Sequence, residues 1–143
     1  MREILFRGKT ANTKEWVEGG IIPLDIESGY VFIAEPYLSA STLPVYEIIK
    51  HHTHLVIPES VGQFVGLIDR DGRKIFEFDV VTFCGITGLV NFNMGCFCIR
   101  TDKPDWKARN NPAIDIVFNE YENEVRVVGN MYDNPELVKE VLK

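Results

Sequence analysis

The stretch that decides the fold is residues 61–81, which read VGQFVGLIDRDGRKIFEFDVV. Two short runs rich in Val, Ile and Phe flank Asp71-Gly72, a dipeptide that is typical of tight hairpin turns. The alternation of strand and turn continues to residue 100, with turns predicted at 85–88 and 93–95. Short strands joined by tight turns are typical of small closed barrels, which leave no free sheet edge. The sequence therefore predicts a mainly β fold.

The rest of the chain continues this pattern and adds one predicted helix. Near the C-terminus, Asn134 can accept a hydrogen bond from an N–H group of the first helical turn, and Pro135 fits the first helical position. We expect a β-hairpin region over residues 1–60, which is either a subdomain or wrapped around the barrel. Further strands are predicted, from apolar runs between polar turns, at 3–7, 15–22, 30–34, 43–49, 54–57, 114–118 and 125–129.

Composition and charge restrict the function. The chain has 143 residues, 15 of them basic and 21 acidic, a formal net charge of -6 and a pI near 5.1. An acidic protein has no overall field that attracts phosphate or an anionic membrane, so nucleic-acid binding requires a local basic face. Three cysteines are an odd count, and neither a signal-type N-terminus nor an apolar run of membrane-spanning length is visible. These features predict a cytoplasmic protein with reduced thiols.

All three histidines lie in the stretch KHHTH, residues 50–54. If this stretch is extended, His52 and His54 point to the same side and form a pair of imidazoles for a transition metal. Glu59 then stands at the spacing of a cupin metal motif. The cupin pattern, however, has a glycine where this chain has Tyr46, and it needs a later histidine that this chain lacks. Surface imidazoles on a strand are the favoured interpretation, and a metal-dependent enzyme that uses these residues is the alternative.

Two other features invite a chemical interpretation. Cys96 and Cys98 share one face of a predicted strand but have no second pair of ligands, so we interpret them as small buried hydrophobic residues. A polar loop contains Trp106, Lys107 and Arg109, which are weak candidates for an exposed binding contact. No catalytic signature surrounds a serine or a cysteine, so we predict no catalytic residue and no cofactor.

Residues 61–81 resemble the YopX family of phage and prophage proteins, whose core pattern reads V-G-Q-F-T-G-L-x-D-x-x-G-K-x-I-Y-E-G-D-I-V. The segments REILFRG, residues 2–8, and VVGNMYDNPELV, residues 127–138, are also similar to the family. Phe78 stands where the family has glycine, so either this position does not need a positive φ or the turn differs. The matching residues, which we interpret as structural, are Gly62, Gln63, Phe64, Gly66, Leu67, Asp69, Gly72, Glu77, Asp79, Gly129, Asn130, Tyr132, Asn134 and Pro135.

The resemblance implies an SH3-like small barrel for the C-terminal half, residues 61–143, which ends in the predicted short helix. We expect the N-terminal β-hairpin region to pack on this barrel. It also implies an accessory protein of a phage or prophage in the bacterial host, and no known reaction. We therefore expect a non-enzymatic module that binds an unknown protein partner or itself through barrel loops and edge strands such as 30–34 and 43–49. A nucleic-acid-binding small barrel is a third hypothesis, which the net charge disfavours.

Overall fold

The chain forms two compact units, Met1–Phe64 and Val65–Lys143. The sequence predicts a boundary between residues 60 and 61. The structure is a computed structural model, and it describes residues 2–25, 30–35, 44–101, 111–139 and 141–142.

Strands dominate the described residues, which confirms the predicted mainly β fold. The ten described strands are β1 (Phe6–Lys9), β2 (Trp16–Asp25), β3 (Tyr30–Ala34), β4 (Thr53–Val56), β5 (Gly62–Ile68), β6 (Lys74–Phe76), β7 (Asp79–Phe83), β8 (Ile86–Asn93), β9 (Cys96–Thr101) and β10 (Arg126–Asn130). The described α-helices are α1 (Val45–His52), α2 (Ile114–Tyr121) and α3 (Pro135–Lys139), and one 3₁₀ turn spans Pro58–Ser60.

The first unit is an antiparallel sheet in the order β4-β3-β2-β1-β5. Its buried apolar side chains are Leu5, Ile33, Val56 and Phe64. Strand β3 pairs with β2 on one side and β4 on the other. The backbone N–H and C=O groups on both edges of β3 are therefore paired within this sheet. The expectation that residues 30–34 extend another sheet is wrong.

The predicted strand at 43–49 is also wrong, because residues 45–49 belong to helix α1. In the sequence, apolar residues recur at positions 45, 48 and 49, a spacing that fits one helical face as well as a buried strand. Glu47 lies in the first turn and pairs with His51 across one turn, with 3.2 Å between the carboxylate and Nε2. The Glu47 carboxylate near the N-terminus and the Lys50 ammonium near the C-terminus complement the helix dipole.

A second predicted strand, at 114–118, is helix α2 in the structure. Ile114, Val117 and Phe118 are buried and recur at the spacing of one helical face. Their branched and aromatic side chains favour strands locally, but burial of this face against the sheet favours the helix. The core of the second unit comprises Ile75, Val81, Phe83, Ile86, Val90, Ile99, Ile114, Val117, Phe118 and Val125.

The second unit is built around a four-stranded antiparallel sheet in the order β10-β7-β8-β9, and β5 continues into this unit to pair with β6. Among the described strands neither sheet closes on itself, so these residues show no closed barrel. A smaller cluster of Val80, Leu89, Val138 and Val141 lies on the side of the sheet that carries α3.

The turn after β6 contains Phe78, which stands where the YopX-family pattern has glycine. Its φ is 71°, so the residue that replaces the family glycine still adopts the left-handed conformation. The backbone N–H of Phe78 donates to the Val90 carbonyl at 2.8 Å, and its own carbonyl accepts from the Met131 N–H at 2.8 Å. A left-handed conformation costs a non-glycine residue roughly 1–2 kcal/mol. The two hydrogen bonds stabilise Phe78 in this conformation.

Candidate functional site

The histidine stretch divides between a helix and a strand. His52 is the last residue of α1, and the chain becomes extended only at Thr53. The condition for a pair of imidazoles on one strand face, an extended segment over residues 52–54, is therefore not met at His52. His54 lies on β4, where its Nε2 is 2.9 Å from the Glu35 carboxylate.

Glu35 is a partner of His54 that the sequence analysis missed. It directly follows β3, and its backbone N–H donates to the His52 carbonyl at 2.8 Å. The pairing of Ala34 with Thr53 brings these distant segments together. A carboxylate in this position fixes the orientation of the imidazole ring.

Glu59, the third proposed metal ligand, lies exposed in the 3₁₀ turn. Within the described ranges, no group of three or more His, Cys, Asp and Glu side chains is arranged to hold a metal ion. Trp106, Lys107 and Arg109, the candidate binding residues, lie outside the described residues.

Asp69, a residue of the YopX-like motif, accepts three backbone hydrogen bonds. Its side chain is 4% exposed. One carboxylate oxygen accepts from the backbone N–H groups of Asp71 and Arg73, both at 2.9 Å, and the other accepts from the N–H of Val127 at 3.0 Å. Burial alone raises the pKa of Asp69, but the three hydrogen bonds and the charge of Arg73 together outweigh burial and lower it. The ionised carboxylate thus joins the turn after β5 to strand β10.

Three other motif residues bond within turns. Asp79 is buried and accepts a hydrogen bond from the Phe76 N–H at 2.8 Å. The side-chain oxygen of Asn130 accepts from two N–H groups of the following turn. The side-chain oxygen of Asn134 accepts from the Asn130 N–H at 3.2 Å, rather than from the first turn of α3 as expected for a helix cap.

The hairpin of β8 and β9 ends in an uncharged tip, residues 92–97, which we call the hairpin tip. Residues 86–99 carry no charged side chain. Met94 is 95% exposed and Phe92 is 55% exposed. Phe92 pairs directly with Phe97 across the strands, and the two rings meet edge to face with 5.2 Å between their centres. The aromatic pair and the exposed thioether lie on an uncharged part of the hairpin.

The opposite face of the same hairpin carries two thiols. Cys96 is exposed and Cys98 is buried, and their sulfur atoms are 3.5 Å apart. Burial, followed by the hydrogen bond with Cys96 and the negative charge of Asp115, raises the pKa of Cys98 to about 11. The expected strand face is thus observed, but Cys96 is not the buried residue that the sequence analysis expected.

The fold defines a mainly β protein with two antiparallel sheets and short helices. The model of the family described as YopX protein matches residues 5–139. The chain therefore belongs to the YopX family, as the motif in residues 61–81 predicted.

One solved structure extends this comparison. The crystal structure of protein EF1440 from Enterococcus faecalis has a TM-score of 0.52 and 20% sequence identity, and the match covers 96% of this chain and 99% of that chain. At this identity the similarity concerns the fold alone. No curated protein matches the chain significantly. Among the described helices, none is both long enough and apolar enough to span a membrane.

Proposed function

We propose that the chain is a non-enzymatic accessory protein of a phage or prophage that acts in the host cytoplasm by self-association. The hairpin tip is the contact surface. The observation that carries this proposal is that Phe92 and Met94 are exposed, beside the half-buried Phe97, on a hairpin that has no charge from residue 86 to residue 99. Membership of the YopX family supports the phage context.

The composition of the hairpin tip matches the centre of a protein interface. Such centres are depleted of charged residues and enriched in aromatic residues and methionine. Most exposed strands and hairpins instead carry charges that prevent association. A hairpin without such protection therefore favours a contact with another protein.

A second copy of the chain is the partner that the charge distribution favours. Each chain carries a net charge of -6, so copies repel one another overall. An uncharged tip is a place where two copies can meet without opposing like charges. A two-fold axis at the tip places Met94 of each copy against the Phe92–Phe97 pair of the other, and contacts between sulfur and aromatic rings are favourable. Because the tip is small compared with a standard interface of roughly 1,600 Å², we expect weak, concentration-dependent assembly.

Sedimentation equilibrium of the reduced, untagged protein tests this proposal. We expect the average mass to rise with concentration in the wild type. The substitution Met94→Glu places a charge in the contact and should raise the dissociation constant at least about tenfold. The matched control is Ile4→Glu, which adds the same charge at a residue of the first unit that is 62% exposed. A monomer at every concentration, or equal effects of the two substitutions, contradicts the proposal.

A further inference from the structure

We propose that Cys96 and Cys98 form a binding site for a zinc ion, with the backbone carbonyl of Asn93 as the third ligand. The site lies on the face of the hairpin opposite to the Phe92–Phe97 pair. Asn93 and Cys96 also belong to the hairpin tip, but the site uses the other face of the hairpin and does not require the proposed self-association.

The two sulfur atoms and the Asn93 carbonyl oxygen are spaced like three ligands of one zinc ion. The two sulfur atoms are 3.5 Å apart, and the Asn93 carbonyl oxygen lies 3.5 Å from the Cys96 sulfur and 4.0 Å from the Cys98 sulfur. For tetrahedral zinc with bonds of about 2.3 Å to sulfur and about 2.1 Å to oxygen, neighbouring ligands are about 3.8 Å apart for two sulfurs and about 3.6 Å for sulfur and oxygen. The observed triangle thus matches one face of the tetrahedron to within about 0.4 Å.

Strand geometry favours a metal ion over a direct bond between the sulfurs. Residues i and i+2 of a strand are separated by about 6.6 Å along the chain, which lies near the upper end of the Cα–Cα range of disulfides and beyond its usual value of about 5.5–6 Å. A disulfide between Cys96 and Cys98 is therefore disfavoured unless β9 bends. A zinc ion spans the two sulfurs with almost no change of the backbone.

A second observation concerns Asn91, which faces the same site. Asn91 pairs directly with Cys98 across the hairpin, so its side chain lies on the face that carries the thiols. Its side-chain oxygen is buried and has no hydrogen-bond partner among the described residues. A buried acceptor without a donor is costly unless another group satisfies it. A zinc-bound water, which occupies the fourth position and donates to this oxygen, satisfies it.

The charge of Asp115 and the exposure of Cys96 also favour a metal ion at this site. The negative charge of Asp115 acts on Cys98 and favours a nearby cation. Cys96 is exposed, so the ion reaches the site from solvent, and the fourth position stays open to water.

Cobalt substitution tests the site in the reduced, untagged protein, since Co²⁺ takes the same geometry and gives a charge-transfer band only when thiolates bind it. We expect one Co²⁺ per chain with this band, and its displacement by Zn²⁺. The band should be lost in Cys96→Ser and retained in Cys84→Ser, the matched control, since Cys84 is an exposed cysteine elsewhere in the sequence. Absence of the band from the wild type, or its persistence in Cys96→Ser, overturns the proposal.

A second measurement does not depend on the folding of a variant. In the wild-type protein, Zn²⁺ should slow the alkylation of Cys96 by iodoacetamide, as followed by peptide mass spectrometry. The alkylation of Cys84 should keep its rate. Equal rates at Cys96 with and without Zn²⁺, or equal slowing at both cysteines, overturns the proposal.

Discussion

The substitution Asp69→Asn is expected to destabilise the second unit by removing a single hydrogen bond and a charge. The asparagine oxygen can still accept from the N–H groups of Asp71 and Arg73, both at 2.9 Å from one carboxylate oxygen. Its NH₂ group then faces the N–H of Val127, which loses its acceptor at 3.0 Å. Two donors that face each other in a buried site cannot bond.

The size of the effect follows from these contacts. A hydrogen bond to a charged group contributes roughly 1.5–3 kcal/mol, and an unsatisfied buried donor has a penalty of similar size. The two remaining bonds also weaken, because the neutral amide is a poorer acceptor than the carboxylate. We therefore expect the free energy of unfolding to fall by about 3 kcal/mol, which corresponds to a decrease of roughly 10 °C in Tm.

Urea unfolding followed by circular dichroism measures this change. The matched control is Asp71→Asn, because the Asp71 side chain is 41% exposed and pairs with Arg126 at the surface. Such surface pairs contribute about 0–1 kcal/mol. Hydrogen exchange provides a local readout, since the Val127 amide should exchange faster in Asp69→Asn alone. Equal destabilisation by the two substitutions refutes the assigned role of Asp69.

The same residue predicts a pH dependence. The folded protein lowers the pKa of Asp69 below its ordinary value of 3.8. A carboxyl group whose pKa is lowered by folding stabilises the protein above its unfolded pKa, and this contribution is lost as pH falls through the folded pKa. Wild type and Asp69→Asn should therefore differ fully at neutral pH and converge as the pH is lowered below about 4. A constant difference down to acid pH contradicts this account.

Two substitutions give further tests of packing. In Gly88→Ala, the new Cβ would lie 2.3 Å from the Ile99 Cγ2, so urea unfolding should show a loss of about 1–3 kcal/mol. The control Gly20→Ala meets no atom within 4 Å, and a destabilisation of equal size there would contradict the packing argument. Asn134→Ala removes the acceptor of the Asn130 N–H and should cost about 1 kcal/mol, whereas an unchanged stability would show that this bond contributes nothing.

The sequence predicted the part of the fold in which local signals agree. Between residues 61 and 100, strand-forming residues alternate with turns such as Asp71-Gly72, so local preference and tertiary structure coincide. Segments 43–49 and 114–118 were mispredicted because short apolar runs fit a strand and a helix equally well. The hydrophobic period distinguishes a helix from a strand only over a longer segment. Tyr121 continues the helical spacing of α2, but it lies outside the five residues 114–118.

The candidate surfaces were less predictable because they depend on pairing between strands. Phe92 and Phe97 become one exposed surface only through the register of β8 and β9. The absence of charge over residues 86–99 was a signal in the sequence that could have indicated this surface. Glu35 precedes His54 by 19 positions, and no local pattern connects them. For Cys96 and Cys98, strand periodicity did place both thiols on one face, but it could not include a backbone carbonyl as a ligand.

The most direct test of the proposed self-association is the concentration dependence of the backbone amide NMR spectrum of the reduced protein. If copies meet at the hairpin tip, the signals of residues 92–97 should shift progressively with concentration. The same titration of Met94→Glu should leave those signals in place. Shifts that concentrate elsewhere in the chain, or a spectrum that does not change with concentration, would contradict the assignment of this surface.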